Sequence, residues 1–175
     1  AGGDDADDFA SMLYEMYAKY ASNHKLGLSY IHENKNDHGG YRNITFQIEG
    51  KNVYGDLKNE SGVHRLVRVS PFNAKKLRHT SFALVEVIPK LGKTDASDFV
   101  IPEADLKIEF SKAGGPGGQN VNKRETAVRI VHIPTNIAVH AATERSKEQN
   151  REQAMSLLRG KLLKKNEEDK KKSEA

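Results

Sequence analysis

The chain has 175 residues, with 28 Lys or Arg against 24 Asp or Glu and no Cys, which gives a formal net charge of +4 at pH 7. The absence of cysteine excludes disulfides and thiolate metal sites, and no apolar run is long enough to span a bilayer. The mild positive charge does not by itself establish a nucleic-acid partner. No signal or transit segment is visible, and the initial Ala1 in place of Met indicates a cut edge.

Apolar residues with helical spacing open the chain. They recur at i, i+3, i+4, i+7, i+8 and i+11 and are Phe9, Met12, Leu13, Met16, Tyr17 and Tyr20. The pattern predicts an amphipathic helix with this face inward. Four aspartates lie in its first turn, where the helix dipole favours negative charge, and they are Asp4, Asp5, Asp7 and Asp8.

Alternating apolar residues next predict strands over residues 28–33, 43–49, 52–57 and 81–88, separated in part by glycines. Residues 62–80 form a basic stretch without a carboxylate, and its basic residues are His64, Arg65, Arg68, Lys75, Lys76, Arg78 and His79. Such a stretch favours a phosphate-contacting surface, which adds affinity but not sequence choice. The alternative is an ordinary solvated face.

A glycine and several charges within residues 90–97 mark a candidate boundary, so we expect domains at 1–98 and 99–175. In the second domain, strands are predicted at 106–110, 128–132 and 137–143. A capping box of Ser146 and Gln149 then opens a helix that frays beyond Lys164. Its predicted buried stripe is Ala154, Leu157, Leu158 and Leu162. The predicted fold class is α+β: a sheet with a packed helix, then strands with a long C-terminal helix.

Residues 113–122, here called the glycine loop, read Ala-Gly-Gly-Pro-Gly-Gly-Gln-Asn-Val-Asn. Glycine loses more backbone freedom on ordering than any other residue, so four within five positions need a reason. Neither the P-loop spacing nor the dinucleotide spacing of glycines is present. Two interpretations stay open: a flexible linker, or a loop that presents a backbone N–H and an amide side chain to a tight polar site.

Two motifs carry a resemblance to a known family. Gly117-Gly118-Gln119 resembles the catalytic tripeptide of class I peptide chain release factors, which end translation by freeing the nascent chain from tRNA. Ser70-Pro71-Phe72, followed by Arg78-His79-Thr80, is similar to the stop-codon-reading segment of the release factor two branch. Release factor one carries a Pro-x-Thr tripeptide there. The resemblance covers nearly all of the chain and includes residues 127–135 and 144–146.

For catalysis, the resemblance implies hydrolysis of the ester that joins the peptide to P-site tRNA. The backbone N–H of Gln119 would face the developing oxyanion, and one such donor lowers the barrier by about 3 kcal/mol. Gly117 and Gly118 would permit the turn, and Gln119 is the expected site of methylation. No nucleophile, metal or cofactor is expected, and His132 and His140 are interpreted as structural. Because the ribosome completes the site, the resemblance leaves open whether the chain counts as an enzyme.

For codon reading, the resemblance implies that the Ser70 hydroxyl meets either purine at the second base, while Pro71 and Phe72 stiffen the loop. Together these three would accept UAA and UGA. Two positions depart from many relatives: Asp5 replaces a Glu, and Lys75-Lys76 replaces a glycine-rich apex.

The remaining codon contacts are assigned by resemblance alone. His79 would stand between the second and third bases, Thr80 would touch the third, and Val67 would be an apolar wall beside it. Backbone near Gly2 and Asp5 would meet the first uridine.

The implied partners are the ribosome with its mRNA stop codon, ribosomal RNA and peptidyl-tRNA, a glutamine methyltransferase and a recycling GTPase, without a membrane. The expected compartment is the cytoplasm if the source is bacterial, otherwise a plastid or mitochondrion. Two alternatives remain. A codon-independent ribosome rescue hydrolase shares the loop but needs a strongly basic tail, whereas residues 164–175 hold five Lys against four carboxylates. A non-catalytic RNA-binding module is the other.

Overall fold

A computed structural model describes residues 3–91, 100–112 and 125–174. They form two compact units, unit 1 at residues 1–87 and unit 2 at residues 88–175. Unit 1 combines a helix with two β-hairpins, and unit 2 combines a three-stranded sheet with a long helix, so the predicted α+β class is confirmed. Within the described ranges, no helix is both long and apolar enough to cross a membrane.

Helix α1 (Gly3–Asn23) supplies the core of unit 1. Its buried residues are spaced by four and are Phe9, Leu13, Tyr17 and Ala21. Met12 and Met16 belonged to the predicted inner face but are 41% and 46% exposed. The buried stripe is therefore narrower than the predicted one and is centred on the i, i+4 row.

Two antiparallel hairpins pack on this helix. The first pairs β1 (Gly27–Lys35) with β2 (Tyr41–Glu49), and the second pairs β3 (Gly62–Val69) with β4 (Arg78–Val85). Five partly buried side chains from these strands complete the core against α1, and they are Phe46, Ile48, Leu66, Ala83 and Val85. Because both hairpins share one helix, their loops are brought to the helix by the same packing.

One predicted strand of unit 1 is wrong. Residues 52–57 contain a short helix, α2 (Val53–Leu57), preceded by Asn52 in the left-handed region at φ 62°. The Asp56 N–H donates to the Asn52 carbonyl at 3.1 Å, closing the first turn. A 3₁₀ turn over Lys58–Glu60 follows and leads directly into β3.

Unit 2 contains β5 (Leu106–Ser111), β6 (Ala127–His132) and β7 (Ile137–Ala141) in the antiparallel order β5-β6-β7. Helix α3 (Lys147–Glu174) packs against β6 and β7. The buried apolar side chains between this sheet and the helix are Val128, Ile130, Val139, Ala141, Ala154, Leu158 and Leu162. The predicted capping box is present, since the Gln149 N–H donates to Ser146 Oγ at 3.1 Å. The predicted fraying beyond Lys164 is wrong, because the helix continues to Glu174.

The start of unit 2 lies against its own helix. A Cβ built on Gly160 would stand 2.4 Å from the Pro89 carbonyl oxygen, so the chain at residues 88–89 passes very close to α3. Only glycine permits this approach. The predicted boundary at 98/99 falls within residues 92–99, which lie outside the described residues.

Candidate functional site

Three segments meet at one end of unit 1: the first turns of α1, the β1–β2 loop (residues 36–40) and the β3–β4 loop (residues 70–77). The α1 aspartates contact side chains of both loops and of β3 there. Asp7 accepts a hydrogen bond from Asn36 Nδ2 at 3.0 Å, and Asp4 lies 3.8 Å from His38 Nε2. The acidic turn is thus a docking surface for loops as well as a complement to the helix dipole.

The β1–β2 loop fits this surface closely. Asn36 Oδ1 accepts the backbone N–H groups of His38 at 2.9 Å and Gly40 at 2.8 Å, which closes the loop on itself. A Cβ on Gly40 would lie 2.8 Å from the carbonyl carbon of Asp7, so the loop backbone touches the helix backbone. This contact fixes the loop against α1.

Asp5 holds the β3–β4 loop. The Ser70 hydroxyl lies 2.7 Å and 2.9 Å from the two Asp5 carboxylate oxygens, and Ser70 is only 1% exposed. Ser70 Oγ also accepts the Phe72 N–H at 3.2 Å, which starts the turn of the loop. The hydroxyl proton that the sequence assigned to a base is therefore directed at Asp5 in this structure.

Arg68 links two of the aspartates. Its Nη2 lies 2.6 Å from Asp8 Oδ2 and 3.6 Å from Asp5 Oδ1, and its Nη1 lies 3.5 Å from Met12 Sδ. The guanidinium is about three quarters buried, with 24% of its side chain exposed. Such a partly desolvated, charge-assisted pair is stronger than a surface ion pair.

His79 is held from both sides of its ring. Its Nε2 lies 3.0 Å from Asn73 Nδ2, and its Nδ1 lies 3.5 Å from Asp5 Oδ2. Because the Asn73 amide is a donor, Nε2 accepts and the ring proton resides on Nδ1, facing Asp5. Asn73 Oδ1 in turn accepts the Lys75 N–H at 2.8 Å. The ring is therefore oriented before any ligand arrives.

The strand register divides the predicted codon contacts between two faces of the second hairpin. Arg68 pairs with His79 on the side of α1, whereas Val67 pairs with Thr80 on the opposite side. Val67 is 44% exposed and Thr80 is exposed as well. The sequence had placed Val67 and Thr80 at the same base, and their register makes them direct neighbours.

The tip of the β3–β4 loop presents the other two residues of the tripeptide. Pro71 and Phe72 are exposed, Phe72 at 43%, and the Phe72 ring centroid lies 6.3 Å from that of His38. An open hollow beside them is lined by residues 69–74 and Lys76. An exposed ring, an oriented imidazole and the exposed Thr80 side chain suit recognition of flat, hydrogen-bonding groups.

Several predicted site residues lie outside the described residues: Gly2, and the tripeptide Gly117, Gly118 and Gln119. The strands on either side of the glycine loop are described, and there Ser111 of β5 lies opposite Ala127 of β6. His132 is buried with Nδ1 2.8 Å from Thr135 Oγ1, an arrangement typical of a structural histidine. In the described ranges no three His, Asp or Glu side chains are grouped to hold a metal ion.

The sequence did not single out Arg68, Asn73 or Asp8 as site residues. Arg68 was grouped with the phosphate-contacting stretch, and Asp8 was explained by the helix dipole. The pairing of Asp8 with Arg68 joins residues 60 positions apart, and no local pattern signals it. The sequence offered one general signal for such a pair, which is that β3 is basic and the start of α1 is acidic.

Comparisons with known proteins agree on one family. The family described as the PCRF domain matches residues 1–85, and the one described as the RF-1 domain matches residues 95–175. Peptide chain release factor 2 of Lactiplantibacillus plantarum is 46% identical over 175 residues, which are 100% of this chain and 46% of that protein. A chloroplastic peptide chain release factor of Arabidopsis thaliana is 47% identical over 163 residues, 93% of this chain and 36% of that protein.

Among solved structures, RF2 of Thermus thermophilus superposes with a TM-score of 0.86 at 40% sequence identity, covering 98% of this chain and 48% of that one. The chain thus spans less than half the length of these relatives. Two family matches in order along the sequence, together with the Ser-Pro-Phe tripeptide on a loop anchored at the start of α1, lead to one conclusion. The chain belongs to the class I peptide chain release factor family.

Proposed function

We propose that the chain carries the codon-reading and peptide-release parts of a translation termination factor. It reads UAA and UGA in the ribosomal A site and promotes hydrolysis of the peptidyl-tRNA ester in the P site. The observation that carries the proposal is the Ser70-Pro71-Phe72 loop of release factor two type, anchored through Asp5 to α1, with the His79 ring oriented beside it. The family matches support the same conclusion.

In unit 1, codon reading uses both faces of the second hairpin. Val67 and Thr80 form an exposed apolar and hydroxyl pair for the third base, and His79 offers its ring between bases. The Ser70 hydroxyl is buried and directed at Asp5 in the present arrangement, so it must turn away from that carboxylate before it can donate to an acceptor on the second base. Reading is therefore an exchange of one acceptor, the carboxylate, for another, the purine edge.

In unit 2, the Gln119 N–H is the proposed oxyanion donor, and Gly117 and Gly118 give the backbone the freedom to aim it. Water is the nucleophile, and positioning by the ribosome supplies the rest of the rate. Further proposals are methylation of Gln119 by a glutamine methyltransferase and release from the ribosome by a recycling GTPase. The relatives include bacterial proteins and a chloroplastic one, so the proposed compartment is the bacterial cytoplasm or the plastid.

Peptide release from ribosomes programmed with different A-site codons tests the proposal. At saturating factor, we expect release on UAA and UGA and little on UAG or a sense codon. Equal release on every codon would instead indicate a rescue hydrolase. Binding of the chain without release on any codon would indicate an RNA-binding module.

A single substitution separates release from codon reading. Gly118→Ala adds a methyl group where the N–H of Gln119 must turn, and loss of one oxyanion donor costs about 100-fold to 1,000-fold in rate. We expect that loss on UAA with unchanged stop-codon-dependent binding to the ribosome. Gly55→Ala is the control, because a Cβ at Gly55 meets no atom within 4 Å. An unaltered rate for Gly118→Ala contradicts the backbone-donor mechanism.

A further inference from the structure

Asn150, in the first turn of α3, is completely buried, and its side-chain amide forms hydrogen bonds with backbone outside the helix. Its Nδ2 donates to the Thr126 carbonyl at 2.6 Å and to the Glu144 carbonyl at 3.2 Å. Its Oδ1 accepts the Glu144 N–H at 3.0 Å. Both donors of the amide are therefore occupied, and its oxygen is paired as well. Gln153, in the same helix, reaches Glu144 Oε1 at 3.4 Å and supports the same segment.

Helix capping does not account for this side chain. Ser146 already fills the cap position, since its Oγ accepts the Gln149 N–H at 3.1 Å. Asn is a poor residue for a helix interior, and a buried amide is costly unless fully paired. Burial of the Asn150 amide is costly, and its hydrogen bonds go to the backbone of Thr126 and Glu144. We therefore infer that its role is to hold that backbone in place.

The backbone it holds is the base of the connection between β5 and β6. Thr126 directly precedes β6, whose first residue, Ala127, is paired with Ser111 at the end of β5. The Thr126 carbonyl is thus hydrogen-bonded to Asn150 of α3, while the next residue, Ala127, is paired with β5 in the sheet. In the sequence, Thr126 follows Gln119 by seven positions.

We propose that Asn150 is a positioning residue for peptide release. It fixes the backbone at Thr126, and the base so fixed sets the point from which the Gln119 N–H is aimed. The inference rests on the proposed release function. A misplacement of about 1 Å at a reacting group costs on the order of 100-fold in rate, so a residue that holds such a base affects chemistry without touching substrate.

The test compares Asn150→Ala and Asn150→Asp with Leu158→Ala in the full 175-residue chain. Asp keeps the size of Asn but cannot donate two hydrogen bonds to the two carbonyls. Leu158 is also completely buried in α3, and its truncation leaves a cavity that destabilises unit 2 without removing a bond to Thr126. Single-turnover release on UAA is measured against factor concentration, which separates the maximal rate from ribosome binding. The temperature is one at which circular dichroism shows all variants folded.

We expect both Asn150 variants to lower the maximal release rate by about 10-fold to 100-fold, with the half-saturating concentration and the codon preference unchanged. Leu158→Ala should keep the rate within about threefold of the unaltered chain. Backbone hydrogen exchange should become faster at Ala127 in both Asn150 variants, and at Glu144 in Asn150→Ala, which removes the acceptor of the Glu144 N–H, whereas Leu158→Ala should leave both unchanged.

Equal rates for the Asn150 and Leu158 variants would overturn the inference while leaving the proposed function in place. Unchanged exchange at Glu144 and Ala127 would also overturn it. Absence of release by the unaltered chain at saturation would overturn the proposed function itself, and the role of Asn150 with it.

Discussion

Asp5→Ala should loosen the β3–β4 loop and destabilise unit 1 by about 2–3 kcal/mol. The Asp5 carboxylate is 18% exposed and accepts the hydroxyl of Ser70, itself 1% exposed. Loss of a charge-assisted hydrogen bond that leaves a buried hydroxyl unpaired costs about 1.5–3 kcal/mol. The contacts to Arg68 at 3.6 Å and His79 at 3.5 Å are longer and add at most about 1 kcal/mol together.

Asp4→Ala is the matched control. Asp4 lies in the same turn and loses the same dipole interaction, about 0.3–1 kcal/mol. Its ion pair within the described part of the chain is to His38 at 3.8 Å, and 46% of its side chain is exposed. We therefore expect Asp4→Ala to cost less than about 1 kcal/mol. The difference between the two variants isolates the Ser70 contact from helix electrostatics.

Tyrosine fluorescence during urea unfolding reports on unit 1 alone, because all six tyrosines lie between residues 14 and 54 and the chain has no tryptophan. Ser70→Ala and the double variant complete a mutant cycle. Since Asp5→Ala leaves the hydroxyl unpaired, the double variant should cost less than the sum of the singles by about 1 kcal/mol or more. Equal destabilisation by Asp4→Ala and Asp5→Ala, or strict additivity in the cycle, would refute the anchoring of the loop by Asp5.

Two further predictions concern stability. Gly160→Ala should lower the unfolding free energy of unit 2 by about 1–3 kcal/mol, because its Cβ would lie 2.4 Å from the Pro89 carbonyl oxygen. Urea unfolding followed by circular dichroism measures this change. Gly55→Ala is the control and should not destabilise the protein, because a Cβ there meets no atom within 4 Å. Burial and a hydrogen bond to Glu60 raise the pKa of Tyr17 to about 12, above the unfolded value of about 10. Its stabilisation is therefore present below pH 10 and lost towards pH 12, and Tyr17→Phe should flatten the fall of unit 1 stability across that interval, whereas an identical fall would contradict the assignment.

Helices α1 and α3 could be predicted because their signals are local. The spacing of Phe9, Leu13 and Tyr17 located α1, and the pair Ser146 and Gln149 located the start of α3. The end of α3 was misjudged because its last turns carry no apolar residues. Ion pairs along the helix, such as that between Lys165 and Asp169 at 3.7 Å, accompany its continuation.

Strand β3 was missed because its apolar side chains point the unexpected way. Val63, Val67 and Val69 are exposed, whereas Arg68 lies on the α1 side with Leu66. A pattern rule assumes that the apolar side faces the core, so a strand whose inner face carries a paired arginine reads as a charged surface. The error follows directly from the long-range pair of Arg68 with Asp8.

The candidate site was predicted in its residues but not in its connections. Ser70, His79 and Asp5 were all named from the sequence, yet Asp5 had been assigned to the first base, Ser70 to the second, and His79 to the position between the second and third. In the structure all three meet at one carboxylate, since both the hydroxyl and the imidazole of the other two face Asp5. Such convergence joins residues 65 positions apart and cannot be read from local spacing.

In the proposed codon reading, the hydrogen bond between Ser70 and Asp5 is the interaction with which a hydrogen bond from Ser70 to a base must compete. A base edge that offers an acceptor can take the Ser70 proton only by replacing the Asp5 carboxylate, and the new hydrogen bond then roughly offsets the lost one. If a base edge without an acceptor draws the hydroxyl away from Asp5, the hydroxyl is left unpaired, at a cost of about 1–3 kcal/mol, or about 5-fold to 150-fold in affinity. Asp5 would then affect specificity without contacting the second base, because the strength of its hydrogen bond to Ser70 determines how favourable a bond from Ser70 to the base must be.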